Sequence, residues 1–299
     1  MQDREASILA RLKNKAKNTK ISYQQCLLLF FQEEFLRRLS KSKYSNNFIL
    51  KGGLFIYTLT NFQSRPTVDI DFLLQHLTNE PKQIDKVISE ILSTPTGFND
   101  IIIMEAGETK PIAIQMKYHG VSIQVSARIK KVRVVFSIDI GIGDIIVPKP
   151  EKRSIQTQLD NYEKPEIYTY SLESVIAEKF DAILQRFELT SRMKDFYDIF
   201  YLSHKFDFEG EKLQEAILQT LNNRGTSYDI DSFDRILQLS DNNDIQLYWR
   251  NFQKAISDNT LSFSDVIKSI SIFLQPVYKA IISEHKFIKK WKAKQQIWE

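Results

Sequence analysis

Asp69 and Asp71, separated by a single residue, are the side chains in this sequence best placed to do chemistry. They lie in Thr67-Val68-Asp69-Ile70-Asp71-Phe72, where the apolar Val68, Ile70 and Phe72 alternate with the acids. A strand rises about 3.3 Å per residue, which would set the two carboxylates about 6.6 Å apart on one face. Hard carboxylate oxygens so arranged can share one or two divalent cations such as Mg²⁺. Paired acids are also common on solvated strand faces, so the pair alone leaves both readings open.

The residues upstream add a second half-site. Lys51-Gly52-Gly53 follows the apolar Phe48-Ile49-Leu50. Glycines after a strand let backbone N–H groups approach a phosphate, and a helix N-terminus beyond them favours an anion. Leu54 to Leu59 can form that helix. Arg65-Pro66-Thr67 then leads into the acidic run, and Pro66, which has no N–H to donate, marks the beginning of the strand. A phosphate-binding turn joined by a short connection to a metal-binding strand would hold a nucleoside triphosphate and Mg²⁺ side by side. A simple tight turn is the plainer reading of the glycine pair.

Two-metal phosphoryl transfer needs about three acids, the third supplied by a neighbouring strand. Val132 to Ile140 alternates, with Val134, Phe136, Ile138 and Ile140 on one side and Ser137 and Asp139 on the other. Asp139, inside that strand, is the preferred third carboxylate. Asp144, following Gly143 at a turn, competes for the role.

A lysine comes from further along the chain. Ser171 can cap a helix running to about Phe187. At about 100° per residue, Lys179 falls inside the stripe of Leu172, Ile176, Ile183 and Phe187, while Glu178 and Asp181 point away. A lysine aimed inward needs an anionic partner. An internal ion pair and a contact to a triphosphate both satisfy that need. In Ser191-Arg192-Met193-Lys194-Asp195-Phe196-Tyr197-Asp198, Arg192 and Asp195 are spaced to meet across one helical turn.

The elements that position these residues fall into two groups. Ser22 and Gln25 form a capping-box pattern before a helix over Tyr23–Leu39, and a second helix spans Lys82–Leu92 after Pro81. Strands are expected over 112–118 and 121–129, joined at His119-Gly120, and then over 132–140. The polar stretch from Pro148 to Pro165 reads as a connector. Beyond Val147 only 166–170 has strand character, and the remainder reads as helices over 212–221, 230–239, 245–256 and 263–283. The expected domains are an α/β domain over 1–150 and a helical domain over 151–299.

The chain has 299 residues, 42% of them hydrophobic, enough for one large core or two modest ones. A single cysteine, Cys26, excludes an internal disulfide framework, and four dispersed histidines give no zinc spacing. No apolar run reaches membrane-spanning length and no secretory leader is evident, so a cytoplasmic protein is expected. Net charge is +4, concentrated in Arg11, Lys13, Lys15, Lys17 and Lys20 and in Lys286, Lys289, Lys290, Lys292 and Lys294. Such clusters either bind a phosphate backbone or form solvated helix ends.

Lys-Gly-Gly followed by Arg-Pro-Thr-x-Asp-Ile-Asp-Phe resembles the first motif of the AbiEii/AbiGii toxin-type nucleotidyltransferases, within the DNA polymerase β-like superfamily. Ala-Glu-Lys-Phe, then Ser-Arg-Met-Lys-Asp-Phe-Tyr-Asp, resembles the family's second signature. The chain departs from the superfamily pattern in having Gly53 where a serine is usual and a longer spacer to Asp69. The resemblance implies an α+β fold: a polymerase β-like mixed sheet with flanking helices, then an α-helical C-terminal domain that completes the active-site cleft. It implies Mg²⁺-dependent transfer of a nucleoside monophosphate from an NTP donor to an acceptor, with a tRNA 3′ end as the acceptor suggested by similar toxins. Asp69, Asp71 and Asp139 would bind metal. Lys51, Gly52, Gly53, Arg65 and Lys179 would bind the nucleotide, and Lys179 and Asp195 would complete the catalytic set, with Asp198 as the alternative to Asp195. The partner implied is an antitoxin encoded alongside, typically of winged-helix type. Two rival readings stand beside this one: a catalytically silent nucleotide- or RNA-binding module, and transfer to a protein hydroxyl.

Overall fold

The computed structural model describes residues 3–19, 21–112, 120–256 and 260–299. It divides into two compact units, one of residues 1–143 and 150–170 and the other of residues 144–149 and 171–299.

In the first unit, helices α1 (Arg4–Asn18) and α2 (Tyr23–Lys41) precede β1 (Phe48–Lys51), α3 (Gly52–Leu59), β2 (Ile70–Leu74) and α4 (Pro81–Ser93). Then follow β3 (Ile103–Ala106), β4 (Lys110–Ile112), β5 (Gly120–Ile129), β6 (Val132–Gly141), β7 (Glu151–Ser154) and β8 (Glu166–Thr169). Among the described residues these strands make one sheet in the order β3-β5-β6-β2-β1-β8-β7, with β4 paired to β5. The sheet is mixed. β2 runs parallel to β6 and β1 parallel to β8, whereas β1–β2 and β5–β6 are antiparallel.

Ser22 starts α2 as the sequence predicts, its hydroxyl accepting from the Gln25 N–H while the Gln25 side chain accepts from the Ser22 N–H. Leu28, Phe31, Phe35 and Leu39 are buried on this helix, and so are Gln32, Glu33, Glu34, Arg37 and Arg38. Buried polar groups need partners, and most of these have them. Glu34 accepts from Arg37, from Arg38 at 2.9 Å and from the Thr96 hydroxyl at 2.6 Å. Arg38 also donates to the carbonyls of Leu92 and Ile102, tying α2 to the end of α4 and the start of β3.

Two residues of the N-terminal basic run, Arg11 and Lys15, join this packing, whereas Lys13 and Lys17 are exposed. Lys15 donates to the Gln158 carbonyl at 2.7 Å, and Arg11 lies 5.7 Å from the ring centre of Tyr162. Lys20 lies outside the described residues.

Residues 150–170, which the sequence reading gave to the connector and second domain, belong to the first unit's sheet. β7 pairs with β8, and β8 continues the sheet from β1. The strand expected over 112–118 and the His119-Gly120 turn lie, apart from their ends, outside the described residues. Within the described part, Ile112 pairs with Gly120 in antiparallel register.

The second unit contains α5 (Leu172–Leu184), α6 (Met193–Lys205), β9 (Phe208–Glu209), α7 (Gly210–Arg224), α8 (Ser232–Gln238), α9 (Asn243–Ile256), α10 (Phe263–Ile282), β10 (Lys290–Lys292) and β11 (Ile297–Trp298). The helices are those the periodicity predicts. The small antiparallel sheet β11-β10-β9 is not. It closes over an aromatic cluster in which Trp291 is fully buried, with Phe273 4.9 Å and Trp298 5.4 Å from it, centre to centre. The indole of Trp291 donates to the Ser203 carbonyl at 2.7 Å, joining this sheet to the end of α6. Among the described residues no helix is long and apolar enough to cross a membrane.

Candidate active site

Strand register assembles the first group of candidate residues. Lys51 of β1 is the cross-strand partner of Asp71 on β2, and Asp71 is the partner of Asp139 on β6. Asp139 in turn faces Ser122 on β5, which faces Lys110 on β4. Directly opposed residues on a pleated sheet share a face, so Lys51, Asp71, Asp139 and Ser122 form one polar row. The opposite face is apolar: Ile70, Phe72, Ile123, Ile138 and Ile140 are all essentially inaccessible.

Asp69 does not share the strand. β2 begins at Ile70, and Val68, expected inward, is 59% exposed. The segment before β2 is held instead by the Gln32 side chain, which donates to the Val68 carbonyl at 2.7 Å. The chain therefore brings Asp71 and Asp139 together by pairing and leaves Asp69 exposed on the segment leading into the strand.

The glycine turn lies against the same row. Gly52 begins α3 with φ +68°, the left-handed region glycine adopts without steric penalty. A Cβ added there would fall on the Asp71 carboxylate. At Gly53 an added Cβ would meet Thr67 Oγ1 at 2.9 Å and Arg65 Nη1 at 3.5 Å. The threonine hydroxyl and the arginine guanidinium thus border the position where a side chain at residue 53 would project. The Lys51 ammonium lies 5.4 Å from the ring centre of Tyr170, and 4.0 Å from where a Cβ on Gly141 would be. The first turn of α3, one lysine, one arginine and two opposed carboxylates are therefore gathered at the ends of β1, β2 and β6.

The metal expectation can be tested on this donor set. Among the described residues no group of three or more acids, histidines or cysteines is closed around a common point. Mg²⁺ does not require one, since it is commonly held by one or two carboxylates together with waters and substrate phosphates. Asp71 and Asp139, opposed on adjacent strands, fit that pattern in number and in oxygen chemistry.

The second group lies within the helical unit. Lys179 is 9% exposed, and its ammonium sits 2.6 Å from Asp198 Oδ2 and 3.2 Å from Asp195 Oδ1. Arg192, at the N-cap of α6, reaches Asp195 Oδ2 at 2.6 Å across one turn. Lys179 is thus in an internal ion pair, with both candidate aspartates on it rather than one.

A third cluster escaped the sequence reading. Arg224, at the end of α7, contacts Asp144 at 2.7 Å, Glu178 at 3.0 Å and Asp181 at 3.0 Å. Burial acts against its charge, but the three carboxylates outweigh that and hold the guanidinium above the ordinary arginine value. Asp181, expected to point away, is fully buried, and its burial raises the carboxyl above the usual range. Thr226 and Gln185 also donate to it. Asp144 therefore belongs to an ion-pair network of the helical unit, and Asp139 to the carboxylate row of the sheet.

Comparison with known proteins agrees with this architecture. The family model of the nucleotidyl transferase AbiEii toxin, type IV toxin–antitoxin system, matches residues 34–269, well over half of the chain. No curated protein matches. Among solved structures, MenT4, a nucleotidyltransferase toxin from Mycobacterium tuberculosis H37Rv, is similar with a TM-score of 0.50 at 14% identity, covering 93% of this chain and 99% of its own. A proposed nucleotidyltransferase from Helicobacter pylori gives a TM-score of 0.50 at 14% identity, covering 87% of this chain and 98% of its own. At such identities the likeness is one of fold: a central mixed sheet with flanking helices and a helical C-terminal region.

Proposed function

This chain belongs to the AbiEii nucleotidyl transferase toxin family of type IV toxin–antitoxin systems, and from that premise we propose that it transfers a nucleoside monophosphate from an NTP to an acceptor hydroxyl, with a tRNA 3′ end as the acceptor. The observation that carries the proposal is the row Lys51–Asp71–Asp139 beside the Gly52-Gly53 turn.

In this reading the amides at the start of α3 and the charges of Lys51 and Arg65 receive the triphosphate. Asp71 and Asp139, and Asp69 from the segment leading into β2, would hold the divalent cation, which would neutralise charge on the phosphates. In place of ligating the cation, Asp139 can take the proton of the acceptor hydroxyl. The acceptor oxygen forms a bond to the α-phosphorus as the bond to the pyrophosphate oxygen breaks. Lys179 and Asp195 are assigned to the catalytic set on the family's second signature, with Asp195 holding the Lys179 ammonium. NTP pools and tRNA locate this reaction in the cytoplasm. A toxin of this class implies an antitoxin partner, here proposed to be encoded alongside.

The decisive experiment incubates the protein with each α-labelled NTP, Mg²⁺ and total bacterial tRNA, beside a protein-only control and the D69A/D71A double variant. Label in tRNA from one NTP, absent in the variant, is the expected result. Label on protein would move the acceptor to a side-chain hydroxyl. NTP binding without any label would favour the silent binding module, whose one hint is Gly53 in place of serine.

A further inference from the structure

Ser122 lies on β5 directly opposite Asp139, and its hydroxyl donates to Asp139 Oδ1 at 2.6 Å. That length is typical of an O–H to carboxylate bond, roughly twice as strong as a neutral one. It is also the one hydrogen bond the Asp139 side chain makes among the described residues, so Oδ1 is occupied and Oδ2 is left without a protein partner there. The surroundings explain why a serine can do this. On β5 the residues facing Asp139's side of the sheet are small or polar, Ser122, Gln124 and Ser126, whereas Val121, Ile123 and Val125 are buried on the other face. Opposed residues on antiparallel strands have Cβ atoms about 4.5–5.5 Å apart, a gap that one short hydroxyl side chain bridges. An alanine would not bridge it.

We propose that Ser122 is a positioning residue for the nucleotidyl-transfer site. Its hydroxyl fixes the rotation of the Asp139 carboxylate and so assigns one oxygen to the protein and the other to the cation or the acceptor. The Gly52 turn packs directly against the Asp71 carboxylate and limits its movement. This inference rests on the proposed role of Asp71 and Asp139 as cation ligands.

The test is direct Mn²⁺ binding, followed by electron paramagnetic resonance on the full chain with an NTP analogue that cannot be transferred. The proteins are the wild type, S122A, S122T and D139N, each with its thermal midpoint measured. Removing such a partner of a ligating group typically costs about tenfold or more in metal affinity. S122A is expected to weaken Mn²⁺ binding about tenfold with an unchanged midpoint, and S122T, which keeps the hydroxyl, to restore it. Wild-type binding by S122A beside loss in D139N would overturn the role of Ser122 alone, as would failure of S122T to restore a weakened site. Wild-type binding by D139N would overturn the cation site on which the inference stands.

Discussion

Lys179 and Asp198 meet at 2.6 Å inside the helical unit, where the aspartate is fully buried and the lysine nearly so. Asp195 shares the same ammonium at 3.2 Å. A lysine held by two buried carboxylates has a structural task whatever else it does. Truncating one partner of a buried pair strands the remaining charge, at about 3–5 kcal/mol. K179M is therefore expected to destabilise the protein by that amount in urea unfolding. A double variant, K179M/D198N, should recover part of the loss, because it removes a stranded charge. If K179M unfolds at the wild-type midpoint yet abolishes nucleotide incorporation, the ion pair is dispensable for folding and the lysine's importance lies in the reaction.

Gly52 offers a different probe, since it couples the turn to the acid row. Its positive φ and the carboxylate against its Cα both oppose a side chain. G52A would carry a backbone penalty of about 1–2 kcal/mol and would also push Asp71 out of its place. Both stability and incorporation should fall, with activity reduced by about a hundredfold or more. G53A meets only the Thr67 side chain closely and keeps an ordinary φ, so its effect should be smaller. Parallel measurement of unfolding midpoints and initial rates for the two variants checks the ranking. Equal losses would mean that the Asp71 contact is not what sets the cost.

Arg224 is the counter-charge for three acids, and two of them, Asp144 and Glu178, retain some solvent access. Removing it should cost about 3 kcal/mol, the lower end for a buried pair. R224K should recover little of that loss, because one ammonium cannot replace a fork that reaches Asp144 and Asp181 together. D144N, by contrast, should affect stability modestly and leave Mn²⁺ binding unchanged, whereas D139N should weaken that binding. Loss of metal binding in D144N would reverse the assignment of the third carboxylate.

These clusters also mark where sequence reading reaches its limit. Asp69 and Asp71 were visible because alternation is local, and Asp139 because its strand alternates well. That Asp71 and Asp139 are partners depends on a parallel register between distant strands, which no local pattern encodes. Val68 looked inward from alternation, but Pro66 and the Gln32 bond to its carbonyl delay the strand until Ile70. Asp181 looked outward because a helical wheel assumes one buried face, whereas α5 packs against both α6 and α7. Arg224 lies at the end of α7 and its acidic partners Asp144, Glu178 and Asp181 are distant in sequence, so no local pattern points to it. The β7 strand and the C-terminal sheet are short, charged and without clear alternation, so tertiary contacts rather than local preference define them.

Glu33 gives the protein a pH dependence that can be worked out in sign. Burial pushes its carboxyl up to about 8, despite the Gln158 N–H it accepts at 2.8 Å and the nearby charges of Arg37 and Lys15. In the unfolded chain the group should titrate near the ordinary glutamate value of about 4.3. Below that value both states hold the proton and the stabilising contribution is fully present. Between it and about 8 the folded state keeps a proton that the unfolded chain has released, so stability falls as pH rises. The slope from this one group is about 1.4 kcal/mol per pH unit. E33Q keeps an acceptor for the Gln158 N–H but cannot ionise. Urea unfolding of both proteins between pH 5 and 7.5, at constant ionic strength, should show the variant gaining on the wild type as pH increases. A stability difference that stays constant across that range would mean Glu33 is already ionised in the folded protein.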